Sequence, residues 1–219
     1  LGRLLLGLLI KSPQKIRLIG DKSLSKRDFS RVTIPLENFG AKFYYKNKNK
    51  LPLSILGTKL AHGIQYLENK GSAQCKSSVM LAALNASGAT SIKAKKSRDH
   101  TELLFKYLKI PIKIQKTKKY DFIKVKQPKR IKAFNYQIPG DISSSAFFIA
   151  LTTLADNSKL LIKNVNINPS RVGVIKILKK MGAKISLKNK KDYRGEKISD
   201  ILIKSSKNLK AINCPAELN

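Results

Sequence analysis

One short pattern recurs along this sequence at intervals of about seventy residues, and it constrains the fold more than any other feature. The pattern consists of the end of an amphipathic helix, a glycine that can end that helix, and an alternating strand. It reads VTIPLENFGAKF at residues 32–43 and VIKILKKMGAKI at residues 174–185. Between them, TELLFKYLKIPIKI at residues 101–114 repeats the helix and the strand, with Pro111 after the helix. A unit of this length is too long for a solenoid repeat and predicts a small αβ module that is used several times.

Three further helices are predicted from the spacing of apolar and small residues. Two of them lie at residues 72–85 and 144–154, and the second has Asp141 as its cap. The third is the leucine-rich opening at residues 4–10. It lacks the basic leader and the cleavage site of a secretory signal, so we interpret it as a buried helix from within a longer chain.

The remaining apolar segments predict strands and divide the chain into two parts. The strands are expected at residues 51–56, 160–165 and 198–203, with a β-hairpin in the lysine-rich stretch 116–132. A boundary is expected near residues 137–140, just before a helix restarts the module. The sequence therefore predicts a mixed α/β protein with a first domain at residues 1–136 and an incomplete second domain at residues 137–219.

The charge balance is strongly basic, with 45 Lys and Arg residues against 13 Asp and Glu residues and a net charge of +32. A nucleic-acid-binding protein is one interpretation of such a charge. However, eight of the basic residues are arginine, and the lysines are spread along the chain among Ile and Asn without an aromatic RNA-binding motif. We interpret the lysines as solvated surface residues of the kind that an A/T-rich genome produces, and we expect no nucleic-acid partner.

The sequence lacks the residue patterns that are typical of several other classes of protein. No segment reaches the roughly eighteen consecutive apolar residues that a membrane span needs. Cys75 and Cys214 form no CxxC pair, and His62 and His100 are isolated in sequence, so no metal site is predicted. We expect a reducing, cytoplasmic setting and no cofactor.

Three polar stretches each precede a predicted helix, where free backbone N–H groups can hold an anion. They are GDKSLSKR at residues 20–27, GSAQCKS at residues 71–77 and SRDHTE at residues 97–102. Each stretch also has a plainer interpretation. Ser72 can be an ordinary N-cap, Asp99 and Glu102 can form a capping box, and residues 20–27 can be a solvated loop. The residue types alone leave these alternatives open.

Six motifs in order, with sensible gaps between them, resemble those of the bacterial EPSP synthases, a family of 3-phosphoshikimate 1-carboxyvinyltransferases. They are RLLLGLL at 3–9, GDKSLSKR at 20–27, SAQCKS at 72–77, SRDHTE at 97–102, PGDISSSAFF at 139–148 and NINPSRVGV at 166–174. Each motif alone is weak, but together they extend over essentially the whole chain. The SAQ form resembles the glyphosate-tolerant bacterial type.

This resemblance implies a reaction in the shikimate pathway, which leads to chorismate and the aromatic amino acids. The enolpyruvyl group of phosphoenolpyruvate is transferred to the 5-hydroxyl of shikimate 3-phosphate, and phosphate is released. The implied fold is the two-domain enolpyruvyl transferase fold, an inside-out α/β barrel of repeated βαβαββ modules, here incomplete. The implied enzyme is a cytoplasmic monomer when complete, with these two small-molecule substrates and no metal or organic cofactor.

The resemblance also assigns binding residues by their places in the matched motifs. The residues that would bind shikimate 3-phosphate are Ser72, Ala73, Gln74, Ser97 and Arg98. Those that would bind phosphoenolpyruvate are Arg3, Arg27 and Gln74, with Gln74 between the two substrates. Two polyanionic substrates must be brought together, and a dense set of cations and N–H donors would offset their repulsion.

Three alternatives remain at this stage. The UDP-N-acetylglucosamine enolpyruvyl transferases share the architecture, but they usually carry a cysteine in the loop that here reads GDKSLSKR. The others are a basic nucleic-acid-binding protein and a noncatalytic remnant with the same fold. The family's catalytic Asp and its later Lys/Arg cluster would follow Asn219, and an early Lys-Ser pair and a glycine turn would precede Leu1. We therefore expect no catalytic acid or base in this chain, and we expect Asp141 to be structural.

The isolated 219-residue chain is predicted to release no phosphate from phosphoenolpyruvate and shikimate 3-phosphate. The reaction requires one proton transfer to the methylene carbon and another from the 5-hydroxyl, and no residue of the chain is assigned to either step. A colorimetric phosphate assay, with a protein-free mixture as its control, measures this. Phosphate release that increases with the amount of chain would contradict the prediction.

Overall fold

Residues 1–214, which the computed structural model describes, divide into two units. Unit 1 comprises Leu1–Lys132, and unit 2 begins at Ala133. This division falls a few residues before the domain boundary that we placed between residues 136 and 137. The assignment of the two units to the two domains of an enolpyruvyl transferase remains a proposal.

The first part of unit 1 contains three helices and a three-stranded antiparallel sheet. Its elements are α1 (Gly2–Leu8), a 3₁₀ turn (Leu9–Lys11), β1 (Ile16–Leu18), α2 (Lys22–Ser25), α3 (Ser30–Glu37), β2 (Lys42–Tyr45) and β3 (Leu53–Leu56). The strand order in the sheet is β1-β3-β2. Helix α2 corrects the prediction of a plain loop at residues 20–27. It forms because the carboxylate of Asp21 caps it, accepting a hydrogen bond of 2.6 Å from the Leu24 N–H.

The second part of unit 1 is a complete βαβαββ module. Its elements are β4 (Gln65–Glu68), α4 (Ala73–Ala83), β5 (Ala89–Lys95), α5 (His100–Tyr107), β6 (Ile112–Lys116) and β7 (Tyr120–Lys126). The strand order is β4-β5-β7-β6, in which β4 and β5 are parallel and the other pairs are antiparallel. Side chains alternate along β7, with Asp121, Ile123 and Val125 buried. This face of the sheet therefore packs on the core of unit 1.

Unit 2 repeats the arrangement with its own core. Its elements are α6 (Ile142–Leu154), β8 (Lys159–Asn166), α7 (Gly173–Lys180), β9 (Lys184–Tyr193) and β10 (Glu196–Lys204). The strand order β8-β10-β9 matches β5-β7-β6 and β1-β3-β2. An isolated parallel bridge joins Gly140 to Val165. It is the counterpart in unit 2 of the parallel pairing of β4 with β5 in unit 1. The predicted repetition of an αβ module is confirmed.

The turn after the second helix of each module takes a left-handed conformation, as the recurring pattern predicted. Gly40 has a φ of 101° and Gly182 a φ of 100°, which suits glycine because it has no β-carbon. In the middle copy, Lys109 takes this place with a φ of 55°. These three residues confirm that the sequence pattern marks the same left-handed turn in each copy of the module.

The predicted hairpin within residues 116–132 is wrong in its extent. Strand β7 pairs instead with β6, which begins at Ile112, through a turn closed by Thr117 and Tyr120. The Thr117 hydroxyl both accepts a bond from the Tyr120 N–H and donates to the Tyr120 carbonyl. Pro128 has no N–H to donate, and residues 127–139 form no helix or strand.

Helices α1 and α4 pack directly on each other. A β-carbon on Gly7 would lie 2.2 Å from the carbonyl oxygen of Ser78, so only glycine permits this approach. The Ser78 hydroxyl donates a hydrogen bond of 2.9 Å to the carbonyl of Arg3. The burial predicted for the leucine-rich helix is one-sided, since Leu5 is 40% exposed and Leu8 is 44% exposed. The contact with α4 fixes where α1 places Arg3.

Gly7→Ala is predicted to lower the free energy of opening of α4 by about 1–3 kcal/mol, because the two helix backbones must move apart. Amide hydrogen exchange of α4 measures this quantity locally. The matched control is Gly2→Ala on the same helix, where the nearest atom to the new β-carbon is 3.8 Å away. The control should stay within about 1 kcal/mol of the unsubstituted chain or gain stability. Equal effects of the two substitutions would contradict the role given to Gly7.

Candidate functional site

Two loops of unit 1 meet at one edge of its four-stranded sheet. Strands β4 and β5 are parallel, so their carboxyl ends lie at the same edge. The loop after β4 enters α4 through Ser72, and the loop after β5 enters α5 through Ser97 and Arg98. A β-carbon on Gly71 would lie 3.3 Å from the carbonyl oxygen of Lys96, so the two loops are in van der Waals contact. The structure thus brings the SAQ and SRD motifs together.

Ser72 begins helix α4. Its hydroxyl accepts a hydrogen bond of 3.3 Å from the N–H of Cys75, which confirms the interpretation of Ser72 as an N-cap. Ala73 and Gln74 form the first turn, whose N–H groups have no acceptor within the helix. The preceding Gly71 has a φ of 69°, which a β-carbon would strain. A cap and an open helix end therefore coexist at this position.

Arg3 connects α1 with two other parts of the candidate site. Its guanidinium donates a hydrogen bond of 3.0 Å to Oε1 of Gln74 and another of 2.7 Å to the backbone carbonyl of Asp28. The same group lies 5.7 Å from the ring centroid of Phe29. Arg27 is exposed and directly precedes Asp28. Arg3 and Gln74 are thus in direct contact, and Arg27 adjoins the residue whose carbonyl accepts the second bond from Arg3.

Asp28 contributes a negative charge near these arginines. The hydroxyl and the backbone N–H of Ser30 hold the pKa of the Asp28 carboxyl below its usual range, and the charges of Arg3 and Arg31 act in the same direction. The carboxylate therefore stays ionised at neutral pH. Its negative charge partly balances the positive charges of Arg3 and Arg31.

Ser97 and Arg98 lie at the second loop. The Ser97 hydroxyl oxygen is shielded from solvent and has no hydrogen-bond partner among the residues that the structure describes. Arg98, the next residue in the sequence, is exposed. A buried hydroxyl without a partner and an exposed guanidinium suit an anion, since a phosphate accepts hydrogen bonds from both.

The capping box that the residue types left open for Asp99 and Glu102 does not form. The Asp99 side chain makes no capping bond to α5, and its carboxylate instead pairs with Nζ of Lys116 at 2.9 Å. Glu102 turns inward and lies 2.6 Å from Nζ of Lys76. Lys76 is 0% exposed, and a buried ammonium requires a counter-charge, so Glu102 is drawn away from the helix end.

This buried pair and a second contact beside it were missed by our reading of the sequence. The hydroxyls of Ser77 and Thr101 are 2.7 Å apart, so the first turns of α4 and α5 are joined at two adjacent places. Burial raises the pKa of Glu102, while the ammonium of Lys76 opposes that rise. The available signal was the position of Lys76 between Cys75 and Val79, on the apolar face of α4.

Asp141 lies in unit 2, where it is the N-cap of α6. Its carboxylate accepts a hydrogen bond of 3.2 Å from the N–H of Ser144 at the start of α6. Arg171 lies 2.8 Å from the same carboxylate and also donates to the hydroxyl of Ser143. Burial alone would raise the pKa of Asp141, but the hydrogen bonds from Ser143 and Ser144 and the charge of Arg171 lower it.

Other kinds of site were sought in residues 1–214. This part of the chain contains no group of three or more His, Cys, Asp or Glu side chains suited to a metal ion. Cys75 is buried and Cys214 is exposed, and neither forms a disulfide bond within residues 1–214. Among the same residues, every helix is too short or too polar to cross a membrane.

Comparison with known proteins gives one consistent family. The family model described as EPSP synthase (3-phosphoshikimate 1-carboxyvinyltransferase) matches residues 2–216. A 3-phosphoshikimate 1-carboxyvinyltransferase from Thermoanaerobacter sp. (strain X514) is 42% identical over 219 residues, which are 99% of this chain and 50% of that protein. Its counterpart from Ruthia magnifica subsp. Calyptogena magnifica is 43% identical over 217 residues, 99% of this chain and 48% of that protein.

Solved structures agree with this comparison. EPSP synthase from Acinetobacter baumannii superposes with a TM-score of 0.84 at 36% identity, covering 99% of this chain and 48% of that one. The enolpyruvyl transferase NikO from Streptomyces tendae has a TM-score of 0.65 at 13% identity, over 93% of this chain and 46% of that one, and so supports the fold alone. The chain spans about half the length of the curated relatives that it matches. It belongs to the EPSP synthase family.

Proposed function

We propose that the whole protein to which these residues belong acts as a 3-phosphoshikimate 1-carboxyvinyltransferase, which transfers the enolpyruvyl group of phosphoenolpyruvate to the 5-hydroxyl of shikimate 3-phosphate and releases phosphate, and that this chain supplies substrate-binding residues. Its relatives carry this name, and the matched residues include all the motifs of unit 1. The observation that carries the proposal is the hydrogen bond between Arg3 and Gln74. This bond joins Arg3, which is assigned to phosphoenolpyruvate, to Gln74, which is assigned to a place between the two substrates.

Shikimate 3-phosphate would bind with its phosphate at the two touching loops. The open N–H groups of α4 at Ala73 and Gln74 and the hydroxyl of Ser97 would donate to the phosphate oxygens, and Arg98 would supply a charge-assisted pair of bonds. Ser72 would hold the helix end in place as its cap. Hydrogen bonds to an ionised ligand are about twice as strong as neutral ones, which favours this arrangement.

Phosphoenolpyruvate would bind on the α1 side of Gln74. Arg3 is already held there by Gln74 and by the carbonyl of Asp28, so that it would meet the ligand with little loss of conformational entropy. Arg27 would add a second positive charge from the adjoining loop. Because both ligands are polyanions, these cations would offset their mutual repulsion and bring the reacting groups into register.

The residues assigned here bind and orient, and none of them is proposed to transfer a proton. Asp141 caps α6, which is a structural task. We further propose that the protein acts on these two free small molecules in the cytoplasm, that it is a monomer and that it uses no cofactor. The diffuse distribution of its lysines supports the absence of a nucleic-acid partner.

Isothermal titration calorimetry of the chain with shikimate 3-phosphate tests this function against the nearest alternative. Binding of shikimate 3-phosphate, and no binding of UDP-N-acetylglucosamine under the same conditions, is the expected result. The reverse preference would replace the proposed function with that of the related enolpyruvyl transferases. Tight binding of an oligonucleotide that persists at moderate salt would favour a nucleic-acid-binding function instead.

Arg98→Ala is predicted to weaken the binding of shikimate 3-phosphate by about 1.5–3 kcal/mol, the scale of a hydrogen bond to a charged group. Calorimetry gives the change directly. The matched control is Arg130→Ala, which removes the same side chain from an exposed position on a segment without helix or strand. The control should leave the affinity nearly unchanged. An equal loss in both variants would show that the loss arises from overall charge rather than from a specific contact.

A further inference from the structure

We propose that Lys76 and Glu102 are positioning residues, whose buried ion pair holds the starts of α4 and α5 at the separation that one phosphate group requires. This inference rests on the proposed function, because it concerns the site assigned to shikimate 3-phosphate. Neither side chain would touch the ligand. Their effect would pass through the backbone of the two helix starts.

The pair connects the two loops at the place where their separation matters. Lys76 follows Ser72 by one turn of α4, and Glu102 follows Arg98 by one turn of α5. The Nζ and Oε1 atoms are 2.6 Å apart, and both side chains are withdrawn from solvent, with 0% and 3% exposure. Helix α4 follows β4 and helix α5 follows β5. The ion pair therefore fixes the start of one helix relative to the start of the other.

Buried ion pairs in general contribute little net stability. Removing two charges from water costs several kcal/mol for each ion, and replacing a buried pair by apolar residues often leaves a protein equally stable or more stable. The cost is not fully offset here, since Nζ of Lys76 and Oε2 of Glu102 lack well-aligned hydrogen bonds among the described residues. The best-attested use of such pairs is to fix the register of the elements that they join.

Two neighbouring contacts act in the same direction. The hydroxyls of Ser77 and Thr101 bond at 2.7 Å, one residue away from the ion pair on each helix. Gly71 lies close to the carbonyl of Lys96, since a β-carbon on Gly71 would be 3.3 Å from that oxygen. A ligand that bridges both loops is sensitive to their separation, because a displacement of about 1 Å can cost as much as a hundredfold in rate or affinity.

The deciding variant is the double substitution Lys76→Met with Glu102→Leu. It removes both charges and keeps apolar side chains of similar length, so the melting temperature should equal or exceed that of the unsubstituted chain. The affinity for shikimate 3-phosphate, measured by calorimetry, should still fall by about tenfold or more because the helix starts are no longer held. Wild-type affinity in this variant would overturn the proposal.

Two further variants separate positioning from general stability. Val79→Ala removes buried apolar atoms from α4 and should lower the melting temperature, with little change in affinity at a temperature where the chain is folded. Glu102→Gln leaves Lys76 buried without a counter-charge. It should lower both the melting temperature and the affinity for shikimate 3-phosphate. If affinity follows melting temperature across all the variants, then the pair has only a structural role and the proposal fails.

Amide hydrogen exchange gives a reading that needs no ligand and applies even if the double variant unfolds in part. The single substitution Glu102→Gln should speed exchange at the amides of Cys75, Lys76 and Leu103, which are hydrogen-bonded to Ser72 and Asp99 at the helix starts, while exchange in β7 is unchanged. Unchanged exchange at these amides would contradict the proposal. Failure of the unsubstituted, folded chain to bind shikimate 3-phosphate would instead overturn the proposed function, and the exchange result would then decide the positioning role by itself.

Discussion

The parallel pairing of β4 with β5 is the constraint on which the candidate site depends. Parallel strands need a crossover connection, so each strand ends at the same edge of the sheet and is followed by a helix. That geometry brings together two helix starts that are about twenty-five residues apart in sequence. The close approach of α1 to α4 at Gly7 then adds Arg3 as a third contributor. The candidate binding groups come from three segments whose places depend on backbone packing around the core of unit 1.

Much of the fold could be predicted because the sequence repeats itself. The glycines at 40 and 182 mark the same left-handed turn, and the strands that follow them have the same place in their sheets. The extent of the 116–132 hairpin could not be predicted in the same way. Its alternation of apolar and polar residues suited a strand, but the pattern carries no information on which neighbour the strand pairs with. Thr117 and its turn decided that pairing.

The site was predicted in part, for reasons that differ from residue to residue. Ser72 was identifiable as a cap because capping depends on residues close in sequence. Resemblance to a family assigned Arg3 and Gln74 to one ligand, but the hydrogen bond between them, across 71 positions, was not predicted. The local sequence of Glu102 fits a capping box, but its carboxylate pairs instead with the buried ammonium of Lys76, which no local pattern indicates. Local patterns fail where a distant buried charge competes for the same side chain.

The burial of Lys76 sets its amine apart from the many lysines at the surface of this protein. An acylating reagent reaches surface amines at a rate set by their own reactivity, but it can reach Lys76 only when α4 and α5 separate. The fraction of Lys76 that is labelled over time would therefore measure the opening of this interface. That property is useful here because the chain has no tryptophan whose fluorescence could follow the same motion.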